Sequence, residues 1–173
     1  MQAKKILVPI DYSDYSEQAL QWGGSLAQKY EATLVLLHVI PKGAEEVHRE
    51  GASFMYPPLA YYKPMMTSSQ SSSVQPLIID LHEKACTQLR DFAANLLADL
   101  PPVQEKVAVG KPAAEILRVA RDDGVDLIVM GTHGRTGVRH LLLGSVAEEV
   151  MRHAPCPVFT LRAGTTSSQP KEE

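Results

Sequence analysis

A glycine-rich segment near the C-terminal end of the sequence has the residue types and spacing that most clearly point to chemistry. Gly131, Gly134, Gly144 and Ser145 form the pattern G-x2-G-x9-G-S. Glycines let the backbone come close to a ligand, and the free N–H groups of such a loop form a concave site for an anion. Arginine and histidine side chains accompany them in a chain of net charge −3: His133, Arg135, Arg139 and His140. The segment therefore predicts phosphate binding.

A purely structural role for the same residues stays open. Ser145 and Glu148 have the spacing of a capping box, in which both side chains satisfy the first N–H groups of a helix. Gly131 could simply end a strand. Loops also use glycine for geometry alone, so the pattern by itself does not decide between the two interpretations.

Two better-known phosphate-binding loops are excluded. The run Gly110-Lys111-Pro112 lacks the upstream glycine and the Ser or Thr that a P-loop requires. The sequence G-x-G-x-x-G does not follow the first strand, which argues against a dinucleotide site of the Rossmann type.

Asp11 is the second candidate. It directly follows the apolar run at residues 4–10, which predicts a buried strand. In doubly wound sheets, ligands bind at the carboxyl ends of the strands, where a carboxylate can accept hydrogen bonds from ribose hydroxyls. The alternative is that Asp11 caps the following helix.

The elements that must position these residues alternate along the chain. Apolar runs predict strands at 4–10, 32–40, 125–130 and 157–162, and the alternating residues 103–109 predict a half-buried or edge strand. Helical periodicity predicts helices that begin at Ser13 or Asp14, at Pro76, at Pro112 and near Val146. In the first helix the spacing predicts one buried face, made of Tyr15, Ala19, Trp22 and Leu26. This alternation predicts an α/β fold with a parallel sheet.

The predicted domain spans residues 1–162, with a long insertion at 41–75 that combines prolines, a serine run and an apolar patch. Its role stays open between a lid, a dimer or partner contact and a tolerated surface loop. Residues 163–173 predict a flexible C-terminal tail.

Composition and charge exclude several classes of protein. A pI of about 6.1 is not that of a general nucleic-acid binder. No apolar run approaches the roughly 20 residues that span a bilayer. Cys86 and Cys156 form neither a metal nor a disulfide pattern, and the six histidines lack metal-ligand spacing. We therefore expect a cytoplasmic protein with reduced thiols, without a metal site of its own, a membrane span or a nucleic-acid partner.

Several stretches together resemble the universal stress protein (UspA) family, specifically its ATP-binding branch. Residues 8–13 resemble the first strand and turn of the family, and residues 36–39 its second strand. Residues 130–136 with Gly144-Ser145 match its nucleotide-binding motif, and residues 154–158 resemble the lead into its last strand. The resemblance runs from Lys4 to Arg162 outside the 41–75 insertion.

The resemblance implies a Rossmann-like fold of the adenine nucleotide alpha hydrolase type, with helices on both faces of a five-stranded parallel sheet in the order 3-2-1-4-5. It also implies roles for individual residues. Val39 would meet the adenine edge through its backbone, Pro9 and Ile10 would line the base pocket, and Asp11 would hold the ribose or base. The phosphates and ribose would be held by Met130, Gly131, Thr132, His133, Gly134, Arg135, Thr136, Gly144, Ser145 and Val146.

The ligand implied is ATP, with AMP, ADP or a cyclic adenine nucleotide able to share the same contacts and with magnesium carried by the phosphates. The resemblance also implies a homodimer through antiparallel pairing of residues 157–162. We expect a stress-response or signalling protein in which the nucleotide tunes conformation or partner binding. A slow ATPase remains as an alternative, although no catalytic base or metal-binding carboxylate is evident at the right place. A nucleotide-free, chaperone-like dimeric scaffold is the other alternative, and the complete glycine motif argues against it.

Overall fold

The computed structural model describes residues 3–41, 75–97, 99, 101–132 and 143–162. Their strands are β1 (Lys5–Pro9), β2 (Thr33–Pro41), β3 (Val103–Gly110), β4 (Leu127–Gly131) and β5 (Val158–Leu161). Their helices are α1 (Asp14–Tyr30), α2 (Gln75–Leu96), α3 (Pro112–Asp122) and α4 (Ser145–His153). Most of the expected insertion and the whole expected tail lie outside the described residues, although Pro41 ends β2 and Gln75 begins α2.

The five strands form one parallel sheet in the order β3-β2-β1-β4-β5. This order confirms the one that the family resemblance implied. It places β1 between β2 and β4, so residues that follow β1 lie between the carboxyl ends of two other strands. The expected edge position of β3 is confirmed as well.

Helices cover both faces of the sheet, because its strands carry apolar side chains on both sides. On one face, α3 and α4 bury Ile116, Leu117 and Val150 against Leu7 and Ile128. On the other face, α1 and α2 pack against the alternate strand positions and bury Ala19, Leu20, Leu34, Leu89 and Val129. The two apolar layers hold the strand ends of the sheet in fixed relative positions.

The prediction that Trp22 faces the core is wrong. Its side chain is 53% exposed, and the buried face of α1 runs instead through Ala19, Leu20, Gly23, Gly24 and Ala27. A Cβ built on Gly23 would lie 2.5 Å from Cγ2 of Val8. The helix therefore approaches the sheet through its glycines, and that rotation turns Trp22 outwards.

Two helix ends carry residues suited to their conformation. Ser13 caps α1, and its Oγ accepts a hydrogen bond from the backbone N–H of Ser16 at 3.3 Å. Gly124 follows α3 with φ of +63°, a conformation that glycine adopts without strain. No helix in the described part of the chain is long and apolar enough to cross a membrane.

Candidate functional site

The carboxyl ends of β1, β2 and β4 bring the predicted site residues to one edge of the sheet. Pro9 ends β1 in register with Leu37, two residues before Val39 in β2. Met130 and Gly131 end the neighbouring strand β4. Ile10 continues the pairing beyond β1, because its N–H donates to the carbonyl of Leu37 at 2.8 Å. Asp11 therefore follows at the junction of the three strands.

The two described ends of the glycine-rich segment meet at Thr132. Its carbonyl accepts a hydrogen bond from the N–H of Gly144 at 2.7 Å. Its own N–H and hydroxyl donate to the carbonyl of Leu161 at 2.8 and 3.1 Å. Thr132 is 4% exposed. Its hydroxyl therefore has a structural role at the end of β5, whether or not it also contacts a ligand. The other predicted loop residues lie outside the described part of the chain: His133, Gly134, Arg135 and Thr136.

The N-terminus of α4 begins directly after this junction. Gly144 is the N-cap residue, and the first bond within the helix runs from the N–H of Glu148 to the carbonyl of Gly144 at 2.9 Å. The N–H groups of Ser145 and Val146 precede that bond and point out of the helix end, where the helix dipole favours an anion. Ser145 is exposed and Val146 half-buried.

The capping-box interpretation of Ser145 and Glu148 is wrong. The helix begins one residue earlier than predicted, so Gly144 is the N-cap residue and Ser145 is the first residue of the helix. Glu148 accepts instead a hydrogen bond from the guanidinium of Arg152 at 2.8 Å, one turn along the helix. The capping role therefore does not account for the serine at this position. The other structural interpretation is consistent with the fold, since Gly131 does end β4.

Asp11 does not cap α1, since Ser13 occupies that position. Oδ1 of Asp11 accepts hydrogen bonds from the N–H and the hydroxyl of Ser13 at 3.1 and 2.5 Å. The carboxylate is half-buried. Asp11 therefore orients the residue that starts the helix, and its own orientation is fixed in return.

Sequence reasoning missed two residues around Asp11. His38 is 4% exposed, and its Nδ1 lies 2.7 Å from the carbonyl oxygen of Ile10. Tyr12 has φ of 62° and packs its ring on that of His38 at 5.0 Å. A histidine within the apolar run 32–40 was a usable signal. Nothing in the sequence indicated the left-handed backbone of Tyr12, because residues with that conformation are mostly Gly, Asn or Asp.

The acidic residues near β4 lie at the opposite end of the sheet. Oδ2 of Asp126 accepts from the N–H groups of Lys4 and Lys5 at 2.8 and 3.0 Å, at the amino end of β1. Asp123 pairs with Lys106 at 2.9 Å. Within the described residues, no group of three or more His, Cys, Asp or Glu side chains is arranged to hold a metal ion.

With this geometry in place, comparison with known proteins gives the family. The profile of the universal stress protein family matches residues 2–162. The chain belongs to the universal stress protein family. Universal stress protein MJ0577 of Methanocaldococcus jannaschii is 32% identical over 163 residues, which cover 92% of this chain and 94% of that protein. YxiE of Bacillus subtilis is also 32% identical over 163 residues, covering 91% of this chain and 98% of that protein.

Solved structures of family members share the fold. The structure of MJ0577 superposes with a TM-score of 0.68 at 29% identity and covers 96% of this chain and 100% of that one. A universal stress protein in complex with cAMP gives a TM-score of 0.59 at 20% identity, covering 95% and 100% of the two chains. The universal stress protein from Archaeoglobus fulgidus in complex with dAMP gives a TM-score of 0.51 at 19% identity, and the match covers 92% of this chain and 98% of that one. The latter two likenesses establish the fold alone.

Proposed function

We propose that this universal stress protein binds an adenine nucleotide at the carboxyl edge of its sheet, as a ligand that tunes its conformation or its partners. The observation that carries the proposal is the hydrogen bond from Gly144 to Thr132. It joins the end of β4 to the start of α4, so that two glycines and the first N–H groups of a helix converge. Such a convergence suits phosphate oxygens.

The sugar and base would lie on the β1 and β2 side of this phosphate site. Asp11 is the half-buried carboxylate between these strand ends, and a carboxylate accepts hydrogen bonds from ribose hydroxyls. Pro9, Ile10 and the backbone of Val39 would form the wall against the adenine. Fold relatives with cAMP and dAMP support an adenine nucleotide as the class of ligand. ATP is the member of this class that the glycine motif favours.

Calorimetric titration of nucleotide-stripped protein tests this proposal. Magnesium-ATP is titrated first, then AMP, cAMP and GTP, and each again in EDTA to find whether magnesium contributes through the phosphates. Gly131→Val should abolish binding, because its side chain blocks approach to the backbone. Gly124→Asn is the matched control, since it lies at the other end of the sheet and asparagine tolerates φ of +63°. Unchanged affinity in Gly131→Val contradicts the phosphate site, and no binding by the wild type favours a nucleotide-free scaffold.

We also propose a homodimer through β5. Within the described sheet β5 pairs with β4 alone, and an open strand edge is normally covered. Phe159 of β5 and Trp22 of α1 are 39% and 53% exposed, and their rings pack together at 5.8 Å between centroids. An exposed aromatic pair beside an open edge suits a second copy in antiparallel pairing, which would extend the sheet and bury both rings.

A further inference from the structure

The imidazole of His38 holds the backbone directly before Asp11. Its Nδ1 lies 2.7 Å from the carbonyl oxygen of Ile10. Because a carbonyl oxygen only accepts, Nδ1 carries the proton and donates. His38 is 4% exposed and Ile10 is 3% exposed, so water does not compete for this bond. The contact ties β2 to the chain that leaves β1, just beyond the last pairing of the two strands.

The same imidazole supports the residue directly after Asp11. Tyr12 has φ of 62°, which is the left-handed region that a bulky side chain disfavours. Its ring packs on His38 at 5.0 Å and meets the edge of Phe92 at 5.1 Å. These contacts offset the strain of the backbone, and strained residues of this kind concentrate at ligand sites.

The carboxylate of Asp11 is thus held from three directions. His38 fixes the residue before it, and Tyr12 fixes the residue after it. Ser13 fixes Oδ1 through two hydrogen bonds. With these contacts in place, Asp11 has a defined orientation before a ligand arrives, which lowers the entropic cost of binding.

A buried histidine is a costly way to fill this position. The neighbours of His38 on the same face of β2 are Leu36 and Ile40, both buried and apolar. A leucine would pack there without the desolvation cost of an imidazole. The hydrogen bond to Ile10 is a contact that the histidine makes and a leucine could not, and that bond acts on the strand end beside the proposed ribose site.

We propose that His38 and Tyr12 are positioning residues, which orient the carboxylate of Asp11 towards the ribose hydroxyls of the bound nucleotide. The assignment rests on the proposed function and deepens it. The recognised groups are the vicinal 2′- and 3′-hydroxyls, so these residues govern preference for a ribonucleotide rather than affinity in general.

The experiment compares ATP with 2′,3′-dideoxy-ATP on the full chain, by calorimetry. The wild type should prefer ATP by about tenfold or more, since hydrogen bonds to a carboxylate are strong. Asp11→Asn should reduce this preference to near one. His38→Phe keeps an aromatic ring but removes the donor, and should reduce the preference similarly. The double variant with Asp11→Asn and His38→Phe should lose little more of the preference for ATP than either single variant does, because both changes act on the same carboxylate.

Variants of Tyr12 test the assignment independently, because they leave β2 unchanged. Tyr12→Gly keeps the left-handed backbone accessible but removes the ring, and should reduce the preference, whereas Tyr12→Phe keeps the ring and should retain it. The assignment is overturned if His38→Phe and Tyr12→Gly weaken the binding of both nucleotides equally, or if both variants retain the preference for ATP. Either result leaves the proposed function standing. A wild type that binds neither nucleotide overturns the proposed function and this assignment with it.

Discussion

The N–H of Gly144 donates a hydrogen bond to the carbonyl of Thr132 at 2.7 Å, so the two ends of the glycine-rich segment lie side by side. Thr132 is also bonded to Leu161, the last residue of β5. The end of β4, the start of α4 and the end of β5 therefore share one buried residue. A ligand at this point would find its backbone donors already placed.

Ser145→Ala separates ligand binding from helix capping. Gly144 occupies the N-cap position of α4, and Ser145 is exposed. We therefore expect stability to change by less than about 0.5 kcal/mol, while nucleotide affinity falls by the value of one hydrogen bond, about fivefold to tenfold. Urea unfolding and calorimetry measure the two effects. Ser25→Ala, at an exposed position of α1, is the control that should leave both unchanged. A large loss of stability in Ser145→Ala would restore the capping role.

Thr132→Val tests the hydrogen bond between the side chain of Thr132 and the end of β5. Valine keeps the shape of threonine but removes the hydroxyl that donates to Leu161 at 3.1 Å. The N–H of residue 132 still donates to the same carbonyl, so we expect a modest loss of about 0.5–1.5 kcal/mol in the free energy of unfolding. Thr160→Val, at a half-buried position in β5, is the matched control. Equal effects in both variants would mean that the hydroxyl of Thr132 adds nothing.

Gly23→Ala should destabilise the protein although alanine favours helices. The new Cβ would lie 2.5 Å from Cγ2 of Val8, a fully buried and β-branched side chain. We expect a loss of about 1–3 kcal/mol, as in overpacked cores. Gly24→Ala is the matched neighbour, because the nearest atoms to its Cβ would be the two methyl carbons of Leu97 at 2.7 Å. Leu97 is half-buried and can move, so thermal unfolding should show a smaller loss there.

β1, β2 and β4 were predictable because their apolar runs are continuous, which is typical of strands buried on both faces, whereas β3 was predictable from alternation typical of a half-buried or edge strand. The order of the strands came from the family resemblance, since it depends on contacts between distant segments. Trp22 was misplaced for a related reason. Hydrophobic periodicity gives weight to large apolar residues, whereas close approach of α1 to the sheet depends on the absence of a side chain at Gly23.

The candidate site was predictable in part. The strand order implied by the family resemblance makes the first and fourth strands neighbours, so the convergence of Asp11 and Gly131 at one edge of the sheet followed from the resemblance. The helix start was misjudged by one residue because Gly144 and Ser145 are both acceptable caps. The support from Tyr12 was hidden, because its backbone conformation depends on the packing of His38 and Phe92.

Phe159→Lys should dissociate the proposed dimer. A charge beside Trp22 at the open edge would face its counterpart across a two-fold axis and would have to be buried. We expect the dissociation constant to rise by about 30-fold, the effect of losing an aromatic anchor worth ~2 kcal/mol, as measured by sedimentation velocity. Tyr30→Ala is the control, since Tyr30 is 38% exposed at the far end of α1. A monomeric wild type would contradict the dimer itself.

The two thiols should react slowly with alkylating agents. Burial raises the pKa of Cys86, and the charge of Glu105 raises it further against a smaller opposite effect of Arg90. Burial also raises the pKa of Cys156, as does Asp126, while a backbone hydrogen bond involving Ile128 lowers it. Only the thiolate is nucleophilic, and an ordinary cysteine has a pKa of about 8.5.

At neutral pH a smaller fraction of the two thiols is therefore ionised in the folded protein than in the unfolded chain. Because burial favours the neutral thiols in the folded state, the free energy of unfolding depends on pH. The stability that the neutral thiols contribute is fully present below the pKa of the unfolded chain and is lost as pH rises through the raised pKa values of the folded chain. We expect iodoacetamide labelling to have a higher pH midpoint in the folded chain than in urea, and Cys86→Ala to reduce the loss of stability at alkaline pH. Faster labelling of the folded chain at neutral pH would contradict both effects of burial.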